Sequence, residues 1–413
     1  MLGGMNTSLR ATACGLVLVL VSGLLPMGCG APPRGPAVPT ALIDAAEIPG
    51  IPGARLPGNL EDPQFWDFLK KRVLERQKEL GLTPGEKIPD AHFLALSGGG
   101  QNGAFGAGLL CAWTDRGDRP KFTVVTGIST GALIAPFAFL GPEYDDYLHH
   151  MYTTLTDKDL LIKRGVIAGF FGDSMMDSSP LRKVIAESIG EKQKQAIARE
   201  YAQGRLLLVA TTDLDAGRPM IWDIGAIATS DDPKALQLLR DVLLASASIP
   251  VAFPPVMFDV EADGQQYQEL HVDGGAAAQV FIYPASFNLK EFSESMRLNV
   301  TRNLYVIRNG FAEPEPKTVK RRTMSIAGRA IDSLITTQGV GDLYRIYLEA
   351  VRDGLKFHLA IIPDDFTDKP DAMFDPKYMT KLFQLGYDQM IKGTAWISAP
   401  PGFEDIPLAL PNP

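Results

Sequence analysis

A single α/β domain, with a mostly parallel sheet covered on both faces by helices, is the fold class that the sequence predicts. Three observations lead there. Short unbroken apolar runs, such as RLLLVAT at 205–211 and NLYVI at 303–307, read as strands buried on both faces. Helical periodicity fills the stretches between such runs, as over 324–351 and 376–392. The 413 residues are 46% apolar and 21% charged, enough for a large core, and no internal repeat or second linker divides them after residue 64.

Residues 1–29 hold one charge, Arg10, and an apolar run from Cys14 to Leu25. Twelve helical residues span ~18 Å, short of a ~30 Å hydrocarbon core, so the run predicts a signal peptide. It ends in Leu25-Pro26-Met27-Gly28-Cys29. This is similar to a bacterial lipobox, except that Pro26 stands where such boxes usually carry Leu. The expectation is export, with Cys29 acylated as an anchor in the bacterial envelope. The alternative is cleavage and release into the periplasm or medium. With Cys14 removed and Cys29 acylated, Cys111 has no partner for an internal disulfide, and its apolar setting predicts a buried thiol.

Residues 30–63 hold eight prolines in 34 positions and predict a stiff tether. Within it, Ile48, Ile51 and Leu56 hint that the second half docks on the body. The domain then occupies 64–413. A helix is expected over 64–81, with Phe65, Leu69, Val73 and Leu80 facing the core. Strands are expected at 92–96, 122–125, 205–211, 303–307 and 357–362. Helices are expected at 103–116 and from Thr130 on, besides the two named above.

Charge and composition narrow the function. Lys+Arg number 40 against 48 Asp+Glu, a net charge of −8, which argues against a nucleic-acid partner. Three cysteines exclude a disulfide scaffold, and no HExxH or His/Cys cluster calls for a metal. After the first thirty residues no apolar run approaches 18, so the chain is not polytopic.

Three glycine-marked loops carry the candidate chemistry. Ser97-Gly98-Gly99-Gly100-Gln101-Asn102-Gly103 follows a strand and opens a helix. Consecutive glycines let backbone N–H groups converge on an anion, backed by the helix N-terminus. Taken alone, the loop fits a phosphate cradle or an oxyanion hole. A dinucleotide site would want an acid at the end of the next strand, where Val124-Val125-Thr126-Gly127 has none. No nucleotide is therefore expected. The second loop, Gly127-Ile128-Ser129-Thr130-Gly131, joins a strand to an apolar helix. G-x-S-x-G in that setting reads as a nucleophile elbow, and otherwise as a plain turn in which Ser129 caps the helix. The third loop, Val272-Asp273-Gly274-Gly275-Ala276, ends a strand. Small neighbours there would desolvate Asp273 and raise its basicity, or the pair is an Asp-Gly turn. None of the five histidines (His92, His149, His150, His271 and His358) lies in a loop flanked by small residues.

Together the glycine loop, G-x-S-x-G some thirty residues later and a distal D-G-G resemble the patatin-like phospholipases. Residues 210–218 (ATTDLDAGR), 245–250 (ASASIP) and 253–255 (FPP) are similar to further blocks of that family, so the likeness covers roughly 90–280. The resemblance implies a three-layer patatin-like fold and hydrolysis of lipid acyl esters without a cofactor. It implies Ser129 as nucleophile and Asp273 as base and then acid, in a dyad without histidine. It implies an oxyanion hole from the N–H groups of Gly98, Gly99 and Gly100. Gly103, Gly127, Gly131, Gly274 and Gly275 complete the motifs. The family often has Asp where this chain has Ser97, and a basic residue where it has Asn102. The expected partners are a lipid or acyl ester and the membrane that holds the anchor. Two other readings remain: a soluble esterase or thioesterase using a triad of Ser129 with His358, and a membrane-tethered binding protein that does no catalysis.

Overall fold

The computed structural model describes residues 33–57, 63–83, 85–165, 172–313, 316 and 318–404. Cys29 and the leader lie outside these residues. A nine-stranded sheet forms the centre. In chain order the strands are β1 (Arg55–Pro57), β2 (Ala91–Leu96), β3 (Val124–Gly127), β4 (Ile162–Lys163), β5 (Met176–Asp177), β6 (Leu206–Asp213), β7 (Arg218–Asp223), β8 (Val256–Ala262), β9 (Gln265–Asp273), β10 (Arg302–Arg308) and β11 (Lys356–Ile361). The short β4 and β5 pair apart from the main sheet.

The strands expected from apolar runs are β2, β3, β6, β10 and β11. They form one parallel block in the order β6-β3-β2-β10-β11. Every residue of β6 is buried, as continuous apolar runs demand when helices cover both faces. One face carries the larger core, with the helices Gly103–Arg116, Thr130–Leu140, Ala235–Ser246 and Pro376–Lys392 packed on it. The other face packs against Pro63–Glu79, Leu289–Ser295 and the second half of Thr323–Asp353. Three layers result. Beyond β6 the sheet turns antiparallel: β7 returns along β6, and the β8–β9 hairpin joins through β9. In β8 buried and exposed residues alternate, the mark of a strand with one wet face.

Two expectations need correction. Residues 33–57 do not stand off as a tether; the docking hinted at by Ile48, Ile51 and Leu56 is present and reaches back to Val38. Val38, Ile48, Ile51, Ala54 and Leu56 are buried, and β1 pairs with β7. Arg34 grips Asp215 with two hydrogen bonds of 2.6 and 2.8 Å, and Arg218 reaches Asp44. The prolines here set a path along the surface, while the apolar residues between them supply the burial. In the helix Pro63–Glu79, Leu69 and Val73 are partly buried and pack on the core, the Phe65 side chain lies outside the described ones, and Leu80, one residue past the helix end, is 41% exposed.

Arg55 ties this segment to the strand that ends at Asp273. Its guanidinium donates to both oxygens of Glu269, and the two side chains are 4% and 1% exposed. Removing one member of such a pair strands the other charge in the interior. Arg55→Ala is therefore expected to cost roughly 3–5 kcal/mol, read as a lower chemical-denaturation midpoint.

Candidate active site

β3 stops at Gly127, and Ser129 stands at the turn into Thr130–Leu140. Its backbone is strained, with φ 55° and ψ −125°, a region that a residue with a Cβ pays to enter. The flanking glycines are obligatory. A Cβ on Gly127 would lie 2.5 Å from the Gly131 carbonyl oxygen, and one on Gly131 would lie 2.3 Å from that of Leu96. By position Ser129 is the helix N-cap, yet its side chain makes no capping hydrogen bond. The hydroxyl is thus not spent on the helix. The Ser129 N–H is spent: it donates to Ser246 Oγ at 3.0 Å, and that hydroxyl donates to Ala210 O at 2.7 Å.

The glycine loop leaves β2 and passes against the elbow, so close that a Cβ on Gly98 would sit 3.3 Å from Ser129 Cβ. One predicted oxyanion donor is corrected here. The Gly98 N–H already donates to Gln279 O at 3.0 Å, so it is not free for an oxyanion. The Gly99 and Gly100 N–H groups have no acceptor among the described residues. Ser97 is buried; its hydroxyl donates to Gly98 O and accepts from the Asn309 N–H at 2.8 Å. It shapes the loop without charge. Asn102 accepts from the Tyr378 hydroxyl at 3.0 Å. Gly103 lets the helix close on Thr130 and Tyr152, since a Cβ would meet Thr130 Oγ1 at 2.2 Å.

Asp273 ends β9, opposite Thr211 of β6, and its N–H donates to Ser248 O. Oδ1 accepts the Gly275 N–H at 2.7 Å. The Asp-Gly turn is therefore present, but it uses one oxygen only; Oδ2 is buried without a formed hydrogen bond among the described residues. Gly274 must be small because a Cβ would come 2.5 Å from Ala210 O. Burial pushes the Asp273 carboxyl up to about 7, while the neighbouring Ser129 hydroxyl and the Gly275 N–H act the other way. The arrangement sets a proton acceptor matched to neutral pH beside a serine on a strained turn.

An apolar slot of about 40 Å³ opens at Ser129 and Gly100, walled by Leu133, Met151, Leu181, Ile249, Phe253 and Phe374.

None of the five histidines lines the slot. His358 lies in β11 and stacks on Tyr305 at 4.7 Å. That is three strands from β3, roughly 14 Å across the sheet alone. His271 is fully buried with both ring nitrogens engaged, by Thr211 Oγ1 at 2.8 Å and Glu269 Oε2 at 3.1 Å. His271, Glu269 and Asp213 could converge on a cation. However, the Arg55 guanidinium already occupies Glu269, and Asp213 accepts the N–H groups of Asp215 and Ala216. Burial acts to raise Glu269, but His271 and Arg55 prevail and hold it at about 2. This cluster fits an ion-pair network better than a metal site.

Several residues that brace these loops lie outside the motifs of the sequence. Gln279 joins the two loops: its carbonyl holds Gly98, and its Nε2 donates to Gly275 O at 3.0 Å. Behind it stands buried Arg308, with Nη1 3.5 Å from Gln279 Oε1 and its guanidinium pushed down to about 10 by burial. Asn309 fastens Ser97 and the Gly106 N–H. Nothing in their local sequence sets them apart, since each acts through a contact distant along the chain.

Residues 94–286 match the family described as patatin-like phospholipase. Patatin-12 of Solanum tuberosum is 26% identical over 171 residues, covering 38% of this chain and 39% of that protein. Patatin group M-3 of the same plant is 27% identical over 168 residues, with 38% and 39% covered. The match spans well under half the length of these relatives. Among solved structures, VipD from Legionella pneumophila is 15% identical, with a TM-score of 0.36 over 73% of this chain and 66% of that one. Human GIVD cytosolic phospholipase A2 is 10% identical, with a TM-score of 0.28 over 76% and 54%. Residues 94–286, just under half of the chain, hold all three glycine-marked loops, brought to one edge of the sheet, and it is over these residues that the chain matches the patatin-like phospholipase family.

Proposed function

We propose that the domain is a serine acyl hydrolase of lipid acyl esters, working through Ser129 and Asp273. In this reading Asp273 Oδ2 takes the Ser129 proton as Oγ attacks the ester carbonyl. The Gly99 and Gly100 N–H groups hold the oxyanion. The tetrahedral intermediate then collapses, the C–O bond breaks, and Asp273 returns the proton to the leaving alcohol. Water, activated by the same carboxylate, attacks the acyl-serine and releases the fatty acid. The observation that carries the reading is the pairing of an uncapped serine on a strained elbow with a buried aspartate whose second oxygen is unspent. The apolar slot supports an acyl substrate.

The test follows p-nitrophenol release from short- and long-chain esters, with a fluorophosphonate label and intact mass. The expected result is turnover and one label on the parent, none on Ser129→Ala, and no turnover by Asp273→Ala. A parent that neither hydrolyses nor takes the label would overturn the reading in favour of a binding protein. The triad alternative receives no support from the positions of the histidines. His358→Ala is expected to keep kcat/KM within about twofold of the parent, because its ring belongs to the Tyr305 stack. Loss of turnover in that variant would restore the triad.

Export and acylation at Cys29 belong to the same proposal. Intact mass of protein extracted from membranes is expected to show an acylated chain beginning at Cys29. A chain that still begins at Met1 without lipid would remove it.

A further inference from the structure

The helix Thr323–Asp353 joins β10 to β11, which are parallel. It must therefore run opposite to both and start at the carboxyl edge of the sheet, the edge that carries Ser129. Its second half is anchored. Gln338 donates to Ala277 O, Asp342 Oδ2 accepts the Gln279 N–H at 2.7 Å, and Leu343, Ile346 and Ala350 are buried. Its first half is more exposed. Among the described side chains of 323–338 none is buried. These sixteen residues measure about 24 Å, and along them half-buried and exposed side chains alternate, so one side of this half faces water at the carboxyl edge.

This half has a composition that water alone does not explain. Ile326 is 51% and Leu334 is 70% exposed, and with exposed Ala330 between them at four-residue steps they form one outward stripe. Val319, 40% exposed, lies just before the helix. Between Val319 and the stripe stand Lys320, Arg321 and Arg322, all exposed and without an ion-pair partner among the described residues. Arg329, about two turns on, is paired with Asp332. Three uncompensated cations in a row are notable on a chain of net charge −8.

We infer that this exposed half-helix docks the domain on an anionic lipid surface, with Lys320, Arg321 and Arg322 meeting the head groups and Ile326 and Leu334 entering the acyl boundary. The inference rests on the lipid reading of the Ser129 site and adds how that site meets its substrate. Charge complementarity chooses the occupant. An exposed apolar stripe beside unpaired cations fits an acidic interface with an apolar layer beneath it. Global charge misleads on this point, because repulsion between an acidic body and an acidic surface is screened beyond about 10 Å, whereas these cations make contact.

The test is co-sedimentation of the purified protein with extruded vesicles, of phosphatidylcholine alone or with phosphatidylglycerol added. Two variants are compared, Lys320→Glu with Arg321→Glu and Arg322→Glu, and Ile326→Ser with Leu334→Ser. The parent is expected to bind the phosphatidylglycerol vesicles at least about tenfold better than the neutral ones, and less well in high salt. Each variant is expected to lose at least about tenfold in that binding and in hydrolysis of vesicle lipid. Both should keep the parent's melting temperature and its turnover of a soluble short-chain ester. Variants that bind like the parent, or a parent that binds neither vesicle, would overturn the inference. So would a parent dimer that the serine variant splits, since a second copy would then cover the stripe. Binding that follows the variants while the parent hydrolyses nothing would uphold the docking surface and sink the hydrolase reading instead.

Discussion

Ser129→Ala is expected to remove all measurable ester turnover and fluorophosphonate labelling, while Ser129→Gly removes activity and makes the protein more stable. A nucleophile that acts as a unit with its base costs on the order of a millionfold in kcat when it is lost. The loss here would reach the assay floor. The stability arm is the more discriminating. Ser129 holds φ 55° and ψ −125° and makes no capping hydrogen bond in return. Strain of this kind is worth about 1–3 kcal/mol, and glycine is relieved of most of it. Alanine keeps the Cβ, so Ser129→Ala should unfold close to the parent and Ser129→Gly above it, by about 1 kcal/mol or more. Equal midpoints for serine and glycine would mean that the turn is no strained elbow.

The parallel half of the fold was legible because of burial on both sides. Strands such as β6 cannot alternate, so they appear as apolar runs that no amphipathic helix imitates. The antiparallel half was not. In β8 every second residue faces water, and β9 opens with Gln265-Gln266, so both read as polar loop unless the pairing is known. The same contrast divides the site. Ser129 and Asp273 are flanked by glycines that stand in the sequence as compact motifs, even though the carbonyl oxygens that require Gly131 and Gly274, those of Leu96 and Ala210, are distant along the chain. The roles of Gln279 and Arg308 are non-local: the one clamps a loop 181 positions upstream, and the other stands 29 positions further down the chain. The Gly98 N–H misleads for the same reason, because its acceptor is the distant Gln279 carbonyl. The exposed half-helix is silent in the sequence because its periodicity is that of any long helix, and only the fold reveals which stripe has nothing to pack on.

The kcat/KM profile of the parent should rise with pH through about 7, and Asp273→Asn should be both inert and more stable than the parent at pH 8. Both follow from one number. Burial pushes the Asp273 carboxyl up to about 7, so in the proposed dyad it would act as general base only once it loses its proton there. An unfolded aspartate titrates near 3.9. Between these values the folded chain binds one proton more than the unfolded chain. Stability from this group is complete below about pH 4 and is lost as pH rises through about 7. Above that the buried carboxylate costs on the order of 4 kcal/mol, the equivalent of the difference between the two pKa values. The amide introduced by Asp273→Asn would keep an oxygen for the Gly275 N–H and carry no charge, so the variant's advantage should be largest at pH 8 and shrink toward pH 5. The measurement is a pair of denaturation midpoints at the two pH values, beside the kinetic profile. An advantage that does not change with pH would mean that Asp273 titrates normally and is not tuned as a base. A profile that rises near pH 4 would say the same from the kinetic side. Agreement between the two would show that the carboxylate that makes the site reactive is also one that the fold holds at a loss.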